Sequence, residues 1–178
     1  MNIFVLHRDP YICAQMHCDK HIVKMIIESA QLLYTCCLMW GIVGNDISEF
    51  ITTAPITTKG THGYKTTHKH HPCSKWLSES VENYHWLVTM AKELCVEYTR
   101  RYKKIHATEQ HIDWLSYVCP DIPNMSLTPF AMVMPNDCKY TEHDGNINPV
   151  KSYRMYYCKE KTFAKWAHST VPIWYTPM

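Results

Sequence analysis

The chain has 178 residues, 46% of them hydrophobic, and a formal net charge of +2. That is enough apolar material for one compact domain with a real core, and the overall charge alone points to neither nucleic acid nor membrane. Five glycines argue against a Rossmann nucleotide-binding unit, and the sequence carries no Gly-rich phosphate loop, GxSxG elbow, HExxH or EF-hand pattern.

The chain opens with Asn2 to Leu6, an apolar run that is either a short strand or a segment threaded into the core, with no leader pattern before it. Asp9-Pro10 is a helix start, an acceptor at the N-cap followed by proline at the first helical position. The periodicity predicts a helix from about Pro10 to Met39 or residue 40, stopping near Gly41. On it, His17, His21, Lys24, Glu28, Gln31 and Thr35 are spaced four, three, four, three and four residues apart and so share one face. The opposite face carries Ile12, Ile22, Val23, Ile26, Ile27, Ala30, Leu33, Tyr34 and Cys37 and is expected to be the buried one. The polar line is either a solvated surface or a site. Asp19 falls on the apolar side and needs a partner there.

Residues 41–71 read as a long loop rich in threonine. A second long helix is predicted over about 72–103, with Leu77, Val81, Tyr84, Val88, Ala91, Cys95, Tyr98 and Tyr102 as its apolar stripe, packed along the first. A shorter helix is predicted over Glu109 to Val118 with Thr108 as its cap. Residues 119–148 form a proline-rich loop. Asn148-Pro149 repeats the capped start and opens a last helix to about His168. The sum is an all-α fold, a compact single domain with long loops.

Charge is distributed unevenly. Lys59 to Lys75 holds four lysines, four histidines and no acid. Arg100, Arg101, Lys103 and Lys104 form a second basic cluster, and Lys151, Arg154, Lys159, Lys161 and Lys165 a third. His62, His68, His70 and His71 lack the i, i+4 spacing, carboxylate or CxxC partner of a zinc site, so no metal is assigned. The loop ends where a helix begins, a place that suits an anion, so Lys65, His68 and His71 are either phosphate ligands or solvated. Tyr153, Arg154 and Tyr157 interleave aromatics with cations, as base stacking and phosphate binding require, and equally as a helix packed on a core would. Nine cysteines, an odd number without a CxxC pair, point to a reducing, intracellular compartment. No segment is read as reaching the ~18 apolar residues of a membrane span.

The segment Cys18-Asp19-Lys20-His21-Ile22-Val23-Lys24-Met25-Ile26-Ile27-Glu28-Ser29-Ala30-Gln31-Leu32-Leu33 resembles the first long helix of the pyrimidine-dimer DNA glycosylase / endonuclease V family. His71-Pro72-Cys73-Ser74-Lys75-Trp76 resembles the entry to that family's second helix, and Tyr153–Tyr157 its aromatic, basic C-terminal element. The same DKHxVKMxxExAQLL and HHPCxxW patterns occur in uncharacterised proteins of phages and large DNA viruses. The resemblance covers about two-fifths of the chain. It implies a DNA repair glycosylase and AP lyase that works on damaged or modified duplex DNA through an amine–sugar imine. Glu28 takes the place of the catalytic glutamate, and no cofactor is needed. Family members attack with the α-amine of a small residue at position two. Asn2 is too large for efficient methionine removal, which leaves the amine on Met1, with Lys24 as the competing amine. His21 completes the expected catalytic set, while His17, Gln31, Lys65, His68, His71, Arg154, Tyr153 and Tyr157 are the expected DNA or phosphate contacts. The alternatives are a related enzyme of free or virus-modified nucleotides, and a non-catalytic nucleic-acid-binding module.

Overall fold

The structure, a computed structural model, describes residues 1–44 and 46–178. Among the described residues it is all-α, with seven α-helices, one 3₁₀ turn (Asn136–Cys138) and no sheet beyond three isolated bridges. The helices are α1 (Pro10–Gln15), α2 (Asp19–Trp40), α3 (Ile47–Thr53), α4 (Pro72–Leu77), α5 (Val81–Tyr102), α6 (Glu109–Leu115) and α7 (Pro149–Glu160).

Both long predicted helices are broken near their starts. The first gives way at Met16–Cys18, where the Asp19 N–H leaves the helix ladder to donate to Lys165 O at 2.8 Å. The second breaks at Ser78–Ser80, where Ser80 accepts the Glu82 N–H at 3.1 Å and starts α5 as its N-cap. Apolar periodicity runs through both breaks, which is why the sequence reads as continuous. The caps at Asp9 and Asn148 form as expected: Asp9 accepts from Tyr11 and Ile12, and Asn148 from Lys151. Thr108 stands at the N-cap of α6 as expected, but its side chain makes no capping hydrogen bond; its hydroxyl pairs with that of Tyr64 at 3.0 Å. The last helix ends at Glu160 rather than near His168, and the loop after Gly41 contains α3.

Helices α2 and α5 pack side by side, with α1 against α5 and both α4 and α6 against α2 and α5. Ile22, Ile26 and Leu33 of α2 and Leu87, Ala91 and Leu94 of α5 belong to one core. The Ile3–Leu6 segment is threaded into that core rather than forming a strand. Largely buried, α2 shows solvent Lys20, Val23 and Lys24 near its start and Met39 and Trp40 at its end, while Glu28 and Gln31 of the expected polar line are half-buried. Ile12 and Val23, expected inside, are 38% exposed, while His21 and Thr35 are buried. The mean hydropathy of Asp19–Trp40 does reach the range of a membrane span, contrary to the sequence reading, but 67% of that window is buried within the protein. A core helix meets the same composition test as a span.

Asp19 has the partners its position requires. Its carboxylate accepts from Arg101 at 3.0 Å and from the Ala167 N–H at 2.7 Å. Arg101, fully buried, also pairs with Glu97 at 2.9 Å and donates to the carbonyls of Gln15 and His17. Arg100 joins Glu97 to His168 O and Ser169. This network ties the break before α2 to the end of α5 and to the segment following α7.

Candidate active site

The N-terminus folds back onto α2. The Asn2 N–H donates to Glu28 Oε2 at 3.0 Å, and the Met1 α-amino group lies 3.9 Å from the same oxygen. Lys24, one turn earlier on α2, stands 3.2 Å from Glu28 Oε1. The Glu28 side chain is 12% exposed, so the carboxylate is held among donors while still reachable. Around it opens a cleft of about 440 Å³, whose lining includes Met1, Lys20, His21, Lys24, Glu28 and Lys161. One carboxylate thus faces three lysines and an α-amine, a set that attracts an anionic ligand.

The amine is fixed through its neighbour. Asn2 Nδ2 donates to Val133 O at 2.8 Å, and Asn2 Oδ1 accepts the Ile3 N–H at 2.8 Å and faces the Tyr153 hydroxyl at 3.0 Å. Tyr153 Oη is also 2.8 Å from Ala131 O and accepts the Val133 N–H at 3.2 Å. Cys73, buried beneath, contacts Asn2 Oδ1 through its thiol; burial pushes that thiol up to about 12, so it stays protonated.

His21 stacks on Phe4 at 4.5 Å and forms a short hydrogen bond through Nδ1 with the Tyr157 hydroxyl. Burial, with the neighbouring His17, Lys161 and Lys24, drives its pKa down to about 3, so it is neutral at ordinary pH. Lys161 lies over the rings of Tyr156 and Phe4, and Lys20 over Phe163.

The structure therefore gathers Met1, His21, Lys24 and Glu28; of the expected DNA contacts, His17, Tyr153 and Tyr157 lie beneath this site, while Gln31, Lys65 and Arg154 line other hollows. Tyr153, Tyr157 and His17 are fully buried, which excludes base stacking by the tyrosines and phosphate contact by His17. Both tyrosines instead hold the site from beneath, Tyr153 through Asn2 and Tyr157 through His21. His17 donates its Nδ1–H to Cys13 O, 2.8 Å away, and burial lowers its pKa to about 4.

Among the remaining residues, His71 accepts the Cys73 N–H as the N-cap of α4. Its pKa is lowered, first by burial and then by the charge of the terminal amine and by His68. His68 is exposed, with a positive φ of 51°, and its Nδ1 pairs with the Thr67 hydroxyl. Gln31 and Lys65 line a different cleft, one turn further along α2. Arg154 donates to Leu6 O, lies over Trp174, and lines a shallow hollow with His7, Arg8 and Lys151. The four loop histidines do not converge, and among the described residues no group of three His, Cys, Asp or Glu side chains has metal-binding geometry.

Sequence reasoning missed Lys20, Phe163 and Asn2 as members of the site. Lys20 was within reach, because it lies four residues before Lys24 on the same helix face. Asn2 and Phe163 carry no local signal; only the folding of the two chain ends over α2 brings them in.

No curated protein and no solved structure matches this chain. A family model described as pyrimidine dimer DNA glycosylase matches residues 1–110, which takes in the threaded N-terminus, all of α2 with Glu28, and all of α5. With that match covering more than half of its length, the chain belongs to the pyrimidine dimer DNA glycosylase family.

Proposed function

We propose that this protein is a DNA N-glycosylase with AP lyase activity, acting on pyrimidine dimers or related modified pyrimidines, with the Met1 α-amine as nucleophile and Glu28 as the proton carrier. The observation that carries this reading is the approach of the amine to within 3.9 Å of a carboxylate that also accepts the Asn2 N–H, in a cleft rimmed by lysines.

The chemistry follows from these groups. The amine lone pair forms a bond to C1′ of the deoxyribose as the C1′–N1 bond breaks and its electrons leave on the pyrimidine. A proton lost by the amine passes through Glu28 to the ring oxygen as the C1′–O4′ bond opens, leaving a protonated imine. Glu28, a carboxylate again, then takes a C2′ proton as the C3′–O3′ bond breaks and the 3′ phosphate leaves by β-elimination, and hydrolysis of the imine frees the amine. Lys20, Lys24 and Lys161 neutralise the phosphates beside the reacting sugar. Arg154, in its own hollow, is assigned as a further phosphate contact, with His68 and His71 as imidazole partners of phosphate oxygens. Lys24 is 68% exposed and ion-paired, which suits anchoring Glu28 better than attacking C1′. Neutral His21 presents an uncharged polar edge.

Borohydride trapping on UV-irradiated duplex and on abasic DNA, with the adduct mapped by mass spectrometry, tests this reading. The expected result is an adduct on the terminal amine with irradiated DNA. An adduct on Lys24 keeps the reaction and changes the nucleophile. Absence of an adduct with both substrates overturns the proposal in favour of a nucleotide-level enzyme or a binding module.

A further inference from the structure

A second cleft, of about 750 Å³, opens beside Gln31, roughly one helical turn along α2 from Glu28. Lys24, Glu28 and Gln31 follow an i, i+4, i+7 spacing, so the two clefts are neighbours on one face of the same helix. The walls of the second cleft are the threonine-rich segment from Thr57 to Thr67 and residues 106–108, which precede α6.

Its chemistry is one-sided. No carboxylate lines it. Lys59 and Lys65 are exposed there, and among the described residues neither is in an ion pair, whereas Lys92, Lys151 and Lys159 are. Thr58, Thr66 and the Gln31 amide add neutral hydrogen-bond donors to the lining.

The wall is also built rather than loose. The Thr35 hydroxyl, buried in α2, accepts the Thr67 N–H at 3.1 Å. The Thr57 N–H donates to Thr61 O at 2.8 Å and the Gly63 N–H to Pro55 O at 2.9 Å. Gly63 has a φ of +60° and lies so close to Tyr34 that a Cβ would come within 2.7 Å of its ring. The segment is thus seated directly on the core, and its backbone is held in place before any ligand arrives.

We propose that this cleft is a second DNA-binding site, which takes the sugar–phosphate backbone flanking the reacting nucleotide. Lys59 and Lys65 neutralise two phosphates, and the threonine hydroxyls and the Gln31 amide donate to phosphate oxygens. Cations and neutral donors without a competing carboxylate are what a phosphodiester requires, and the position beside Glu28 lets one strand reach both clefts. The inference rests on the reading of the Glu28 cleft as a DNA site.

The test is binding of the full chain to an undamaged 30-base-pair duplex across a salt series. Trapping by the wild-type protein tests the chemistry at the Glu28 cleft, and the change in duplex binding between the wild type and variants of the second cleft tests that cleft without any chemistry. Lys59→Ala/Lys65→Ala is expected to lower the slope of log K against log salt by about 2. The wild type would then lose roughly tenfold more affinity than the variant between 50 and 200 mM salt. Thr58→Glu, which keeps both lysines and puts a carboxylate in the cleft, is expected to weaken binding at low salt. Circular dichroism and a thermal melt establish that both variants are folded. An unchanged slope in the double variant overturns the proposal. So does a lowered slope with no effect of Thr58→Glu, because the lysines would then act away from the cleft.

Discussion

The Tyr153 hydroxyl lies 3.0 Å from Oδ1 of Asn2, although the two residues are 151 positions apart in the chain. This contact, with the Ala131 and Val133 backbone groups that share the hydroxyl, holds the N-terminus over Glu28. Tyr153→Phe removes these hydrogen bonds and leaves the half-buried Ala131 and Val133 backbone groups without this partner, which is expected to destabilise the fold by about 1–3 kcal/mol. A merely structural role would stop there. A role in positioning the amine adds a fall in kcat, or in the single-turnover trapping rate, with little change in KM. Stopped-time trapping at saturating DNA separates the two.

Glu28→Gln keeps the shape of the side chain and an acceptor for the Asn2 N–H but removes the group that carries the proton. Turnover is expected to fall by about 10²-fold or more, while binding to a duplex carrying a non-cleavable abasic analogue stays within a few fold of wild type. Joint loss of binding and of thermal stability would instead make Glu28 a structural residue.

Stability is expected to fall on mild acidification. His17 and His21 are buried and neutral, with pKa values lowered to about 4 and about 3, chiefly by desolvation. In the unfolded chain a histidine titrates near ~6.5, so between that pH and about 4 the unfolded state binds more protons. Unfolding free energy then drops as pH falls, by up to about 1.4 kcal/mol per pH unit for each histidine. Glu97 adds to the loss only at lower pH. Burial raises its pKa, but the hydrogen bonds from Arg100 and Arg101 outweigh that and hold it below the ordinary carboxylate value. Urea titrations at pH 7, 6 and 5 check the slope; equal midpoints at all three would contradict it.

Arg101→Ala strips the pair from Glu97 and Asp19 and unties the carbonyls of Gln15 and His17. Removing one member of a buried ionic network is expected to destabilise the fold by about 3–5 kcal/mol. Asp19 also anchors the backbone at Ala167, four residues after Phe163 at the edge of the cleft. A folded fraction of the variant is therefore expected to show weaker DNA binding as well as a lower Tm.

What the sequence determined by itself are the features set by short-range chemistry. Asp9-Pro10 and Asn148-Pro149 start helices wherever the fold places them, because an acceptor side chain and a fixed φ act within one turn. The apolar periodicity of α2 and α5 is local in the same sense and suffices for an all-α core. The resemblance carried by Cys18–Leu33 picked out Glu28 with the terminal amine and Lys24, and the three do meet. Tertiary structure decided the rest, because it depends on which groups come together across the chain. Whether the polar line of α2 faced solvent or an interior was settled by the N-terminal segment and α7, which cover His17 and His21 with Phe4 and Tyr157. Tyr153 and Tyr157 have the same composition signal on a DNA-binding surface as in a core. Burial turned them inward because their hydroxyls found partners on Asn2 and His21, and a phenol so satisfied no longer needs water.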